Sequence, residues 1–173
     1  MTKDEQWQSA LKQHADSIRS FADTAAAIDE SVWLRSISAG KWSPAEIAEH
    51  LRLAYEVLLR EINEGAGLKI RTNWFVRQYI RLAILPGIFK RRRLPTGAKA
   101  PREVRPTKVI EDRSEALRQL LALAEQFEAE LSKRRHAKGT HLTHHLFGRL
   151  NILQGLRFCA IHVDHHCRQL PKK

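Results

Sequence analysis

Only two cysteines occur in the 173 residues, Cys159 and Cys167, and they stand eight apart in one predicted helix. At ~1.5 Å rise per residue that is a separation of roughly 12 Å, beyond the reach of a disulfide. A disulfide-stapled scaffold is excluded, and a reducing compartment is expected. No apolar run approaches the ~20 residues that span a bilayer. The N-terminus, Met1-Thr2-Lys3-Asp4-Glu5-Gln6, lacks the basic-then-apolar layout of a secretory signal. These absences make a cytoplasmic protein the expectation. Internal repeats and low-complexity tracts are also absent, and almost nothing reads as a strand.

Acidic residues are nearly missing from one stretch. Between Lys69 and Lys108 there are twelve Lys/Arg and a single acid, Glu103, so this segment alone carries the formal +11 of the chain. The rest is balanced. A nucleic-acid binder with a uniformly basic surface would look different.

Four long amphipathic segments are present, at about Asp4–Ile28, Ser43–Asn63, Arg113–Arg135 and Asn151–Leu170. In the second, Ser43 can cap, Pro44 suits the first helical position and Glu46 completes a capping box. The fourth opens with Asn151 and has Gln154 three residues on. Four such helices predict an all-α fold, a four-helix bundle formed by residues 1–173 as one domain. The connection between the second and third helices, residues 64–112, is far longer than the others. Such an excursion implies a role of its own as a basic crossover or lid. It holds one more helical stretch, Asn73–Leu85, which is expected to stop at Pro86-Gly87. The basic run Lys90-Arg91-Arg92-Arg93 follows. The excursion should fold over the open end of the bundle, because Trp74, Phe75, Ile80 and Leu85 need burial.

Nine histidines are present, and three fall on apolar helix faces. His50 has Ile47 three before it and Ala54 four after. His162 has Cys159, and His166 has Val163, at the same three-residue offset. Residues four apart share a helix face. Two imidazoles so placed, with a third from a neighbouring helix, can bind a divalent metal and leave positions open. His165 competes, because i, i+3 spacing from His162 also serves in bundle metal sites. His141, His144 and His145 read as a polar loop before the last helix. Cys159 reads as a buried structural cysteine, Glu46 and Glu49 as cap and surface residues, and Asp164 as solvent-facing or supporting. No residue is assigned as the catalytic acid or base.

The segment His144-His145-Leu146-Phe147-Gly148-Arg149-Leu150-Asn151, continued by Leu156-Arg157-Phe158 and His162-Val163-Asp164-His165-His166-Cys167-Arg168-Gln169-Leu170, resembles the C-terminal motif of the DinB/YfiT-like superfamily. Lys41-Trp42-Ser43-Pro44-Ala45-Glu46-Ile47-Ala48-Glu49-His50-Leu51 resembles its second-helix motif, and Lys99-Ala100-Pro101 and Arg105-Pro106 resemble members with a long basic insertion. Many relatives have proline where this chain has His145. The resemblance implies a four-helix bundle with a long crossover between helices 2 and 3. It also implies a metal held by His50, His162 and His166, which decides against His165. Better-understood relatives are metal-dependent transferases using small cytoplasmic thiols, or thiol-dependent isomerases and hydrolases.

Two functions follow as expectations. The first is a metal-dependent enzyme, a thiol transferase or related hydrolase. Its cofactors would be zinc, nickel or iron and a low-molecular-weight thiol, and its substrate a small-molecule thiol or electrophile. Lys90, Arg91, Arg92 and Arg93 would then bind anionic substrate. The second is a non-catalytic metal-binding bundle whose basic amphipathic segment, Trp74 to Leu85, meets an anionic membrane surface or nucleic acid, the latter less favoured. Against any such contact stands the plain expectation that Trp74, Tyr79 and Leu82 pack on the bundle while the arginines stay in water. A homodimer is a further expected partner state.

Overall fold

The computed structural model describes residues 1–63, 65–95, 97 and 99–171. Capping chemistry sets the helix starts. Thr2 and Glu5 form a reciprocal capping box at α1 (Lys3–Ala26), as Ser43 and Glu46 do at α3 (Pro44–Ile62). Between them the one-turn α2 (Glu30–Trp33) sets Trp33 in the core. After α3 come α4 (Trp74–Tyr79), a π-helical turn over Ile80–Ile84, and α5 (Leu85–Arg91). A single 3-10 turn follows at Arg102–Val104. Asp112 caps α6 (Arg113–Lys133), and Asn151 with Gln154 caps α7 (Ile152–Cys167).

The fold is mostly helical. α1 lies along α7 and also meets α6, while α3 lies along α6. Their facing sides, including Phe21, Leu51, Phe127, Leu131 and Leu156, form one core together with Trp33 of α2. A second, smaller cluster holds Leu85 and Ile88 against Phe147, Leu150, Phe158 and Ile161. Among the described residues no helix is long and apolar enough to cross a membrane.

Three expectations are corrected. First, residues expected in a loop form an antiparallel hairpin, β1 (His141–His144) and β2 (Gly148–Asn151), with Leu142 opposite Leu150 and His144 opposite Gly148. Glu61 of α3 pins it, accepting from the Thr143 amide at 2.8 Å and the Thr143 hydroxyl at 2.5 Å. Second, the helical stretch after Asn73 does not stop at Pro86-Gly87. The π turn moves the bonding back by one residue, the Leu85 amide donating to the Ile80 carbonyl. Pro86 then sits in the first turn of α5, where its missing N–H costs nothing. Third, Leu85 is buried and Ile80 partly so, but Trp74, Phe75, Tyr79 and Leu82 stand in solvent. Arg77 and Arg81 turn inward instead, Arg77 Nη1 donating to the Thr72 carbonyl and Arg81 Nη1 to the carbonyls of Phe147 and Arg149.

Gly155 shows how closely the hairpin approaches α7. A Cβ there would lie 2.4 Å from Leu142 Cδ1 and 3.1 Å from Leu142 Cβ. Alanine is the better helix former by up to ~1 kcal/mol, but the overlap reaches the root of Leu142, which a rotamer change cannot move. Gly155→Ala is therefore expected to destabilise the fold by about 1–3 kcal/mol. Urea denaturation checks this, and a stabilised variant would disprove the close approach.

Candidate metal centre

Helix geometry delivers the three histidines. His50 projects from the second turn of α3, and His162 and His166 from successive turns of the last part of α7. His162 Nε2 lies 3.1 Å from His50 Nε2 and 3.0 Å from His166 Nε2. One ligand atom from each residue lies within 4.8 Å of the others. Two nitrogens bound to one ion at ~2.0–2.1 Å stand about 2.9 Å apart at a right angle and about 3.3 Å apart at the tetrahedral angle. The two short separations fall within the range that one shared ion would allow, so the three residues could hold a metal. His50 and His166 are buried, and His162 is half-buried.

The partners of the other ring nitrogens fix what faces the centre. His50 Nδ1 is 2.7 Å from the Val104 carbonyl, which can only accept, so Nδ1 carries the proton. His166 Nδ1 is 2.8 Å from Gln169 Oε1, which assigns it the same tautomer. Both Nε2 atoms are then bare lone pairs aimed at His162 Nε2. One proton on His162 could satisfy one of them and never both. Three imidazoles in this arrangement have the donor set for a cation, and the residues fit a divalent metal.

Burial pushes His50 down to about 4, opposed by its bond to Val104. Burial, then the neighbouring His50, takes His166 to about 3, and Gln169 works against the shift. His162 is lowered well below the ordinary histidine range by burial, with His166 and His50 adding to it. Neutral imidazole at neutral pH is the form a metal requires. Trp42 closes one side, its ring centroid 4.9 Å from that of His50 and 6.3 Å from that of His166.

The other sequence candidates lie elsewhere. His165 is not in the cluster; its Nε2 accepts from Gln169 Nε2 at 2.9 Å. Gln169 thus braces two adjacent histidines. Of the basic run, Arg92 is occupied by Gln13 and by Asp164 Oδ2 at 2.8 Å, whereas Lys90, Arg91 and Arg93 are exposed. The crossover segment that touches His50 is Val104, not Lys90–Arg93. Glu49 is not a surface residue: it is buried and holds Arg52 through two bonds of 2.8 and 2.9 Å. Cys159 is buried, and burial pushes its thiol up to about 12, which leaves it no thiolate at neutral pH. Sequence reasoning missed Val104, Gln169 and Trp42. Gln169 carried a signal in its i+3 offset from His166; a backbone carbonyl carries none.

His144 lies beyond this centre, with its ring between Phe147 at 4.6 Å and Phe158 at 4.7 Å. Its Nδ1 accepts from the amides of Leu146 and Phe147 at 3.2 and 3.3 Å. Burial lowers it to about 3. The unfolded chain, titrating near 6.5, takes the proton first, so the stability due to neutral His144 is complete above pH ~6.5 and is lost as pH falls toward ~3. His144→Asn keeps an acceptor near the Nδ1 position and does not titrate. In chelator-treated protein it should make the acid-side loss of stability shallower by up to ~1.4 kcal/mol per pH unit. Urea titrations across that range test this, and an unchanged slope would refute it.

Comparison with known proteins gives one result. No curated protein and no solved structure matches the chain. The family model described as the DinB superfamily matches residues 10–170. That span runs from within α1 to beyond the end of α7 and takes in all three converging histidines, and the chain belongs to the DinB superfamily.

Proposed function

We propose that the protein is a metal-dependent enzyme built on a four-helix bundle of α1, α3, α6 and α7, in which His50, His162 and His166 hold one divalent ion, zinc, nickel or iron. The reaction proposed is transfer of a small thiol to an electrophile. The observation that carries the reading is the set of three Nε2 atoms, two of them deprotonated by construction because Val104 and Gln169 occupy the opposite nitrogens. A cation held by neutral ligands keeps its full charge and, when bound, would lower the pKa of a thiol or water beside it.

The residues of this chain have separable tasks. Val104 and Gln169 hold ring orientation and tautomer. Trp42 shields the edge of His50 and His166 from water. In the net reaction the sulfur–carbon bond forms as the carbon–leaving-group bond breaks, and the thiol proton departs with the leaving group. Among the described residues Glu49 is paired with Arg52 and Asp164 with Arg92, so neither carboxylate is free to serve as a general base.

The test is turnover of a chromogenic aryl halide by metal-loaded protein with a panel of small thiols. Turnover that needs both thiol and metal, and that disappears in His166→Ala, is expected. Release of the leaving group without thiol would move the assignment to a hydrolase. Full metal loading without turnover of any thiol would overturn the transferase reading.

A further inference from the structure

The α4–α5 segment is amphipathic in the reverse sense from an ordinary surface helix. Its outward side chains are Trp74, Phe75, Tyr79 and Leu82, exposed by 57%, 78%, 66% and 77%. Phe75, Tyr79 and Leu82 recur at i, i+4 and i+7, so they share one face. The cations of its first half point inward, where Arg77 and Arg81 are held by the carbonyls of Thr72, Phe147 and Arg149. Ile80, Ile84, Leu85 and Ile88 fasten the underside to Phe147, Leu150, Phe158 and Ile161. The exposed face is therefore held rigidly outward. Contiguous aromatic and aliphatic exposure of this kind marks a contact surface.

Charge identifies what it contacts. From Lys69 to Arg102 there is no acidic residue, and the one acid that follows, Glu103, is bonded to Arg71. At the end of α5, Lys90, Arg91 and Arg93 are exposed and form no ion pair among the described residues. The occupant must accept hydrocarbon at one end of the segment and bring negative charge to the other. A second copy of the chain would present the same cations, so like charges would meet. Nucleic acid would use arginines interleaved with the aromatics, yet Arg77 and Arg81 face inward and Leu82 has no stacking surface. The headgroup layer of a bilayer supplies both features together.

We propose that the face of Trp74, Phe75, Tyr79 and Leu82, flanked by Lys90, Arg91 and Arg93, seats the protein on the surface of a bilayer containing anionic phospholipid. The segment lies in the interface, with aromatics at acyl-chain depth and cations among the headgroups. The inference is independent of the reaction at the metal centre.

The experiment is flotation of the full chain with vesicles of phosphatidylcholine alone or mixed with phosphatidylserine. Binding is expected only with phosphatidylserine and should weaken as salt is raised. Phe75→Ser with Leu82→Ser should lower binding by about tenfold or more. Lys90→Gln, Arg91→Gln and Arg93→Gln together should lower it about a hundredfold, at about fivefold per cation. These side chains are exposed, and circular dichroism will show the fold of both variants intact. Indole fluorescence quenched by brominated acyl chains, and no longer quenched in Trp74→Phe, would place the face in the bilayer. Three outcomes overturn the proposal: no preference for phosphatidylserine; loss of oligonucleotide binding in the charge variant while the apolar variant floats as wild type does; or a wild-type dimer that ignores vesicles and that Phe75→Ser dissociates.

Discussion

His162→Ala is expected to reduce bound metal from about one ion per chain to near zero. Its Nε2 is the atom common to both short separations, 3.1 Å to His50 and 3.0 Å to His166, so its loss leaves two imidazoles that no longer share a bridging neighbour. Three protein ligands are the usual minimum for a site that keeps an open position. Gln169→Ala should behave differently. It removes only the acceptor at His166 Nδ1, so affinity should fall about 10–100-fold while saturating metal still restores one ion per chain. The same contrast should appear in stability. Metal at ~100 times its Kd should stabilise wild type by about 2.7 kcal/mol and His162→Ala hardly at all. Elemental analysis and thermal denaturation with zinc or nickel read both effects. Undiminished metal in His162→Ala would remove the basis for the proposed function.

The helices and the histidines were legible because local rules specify them. Ser43 with Glu46 and Asn151 with Gln154 announce helix starts, and both reciprocal bonds form. The four-residue spacing of His162 and His166 puts them on one face wherever α7 packs. What escaped the sequence depends on partners far along the chain. The strands of four residues are too short for a period-2 pattern, and their register comes from Glu61 and from the space left by Gly155. Helix propensity correctly places Trp74 to Leu85 in a helix, but which side faces the protein was decided by carbonyls of the hairpin drawing Arg81 inward. That hairpin was invisible, so the expected burial of Trp74 and Phe75 was wrong for the same reason. The Val104 carbonyl that fixes His50 has no side-chain signature at all.

The other large effect is expected far from the metal centre, at a chain of three polar groups on three helices, of which His14 and Tyr55 are buried and Glu128 is partly exposed. His14 of α1 is fully buried, with Nδ1 2.6 Å from Glu128 Oε1 of α6 and Nε2 2.6 Å from the Tyr55 hydroxyl of α3. Glu128 Oε1 can accept from Nδ1–H and the Tyr55 hydroxyl bonds Nε2, so both ring nitrogens have a partner. Burial also raises the Tyr55 phenol well above its ordinary range, which keeps it a donor. The sequence carried a weak signal for His14, whose neighbours Leu11 and Ile18 sit three before and four after it. His14→Ala removes a ring packed against Tyr55 and Phe127, at centroid distances of 5.6 Å to each, and strands a buried hydroxyl. Cavity and lost hydrogen bond together should cost about 3–5 kcal/mol. Tyr55→Phe keeps the ring against Phe127 and loses only the hydroxyl, for about 1–3 kcal/mol. The two losses share one bond, so the double variant should be less destabilised than their sum. Urea denaturation of the metal-free protein measures all three, and metal content of the folded variants should stay at the wild-type level. A cost below ~1 kcal/mol for His14→Ala would show that water replaces the imidazole and that the three helices do not depend on it.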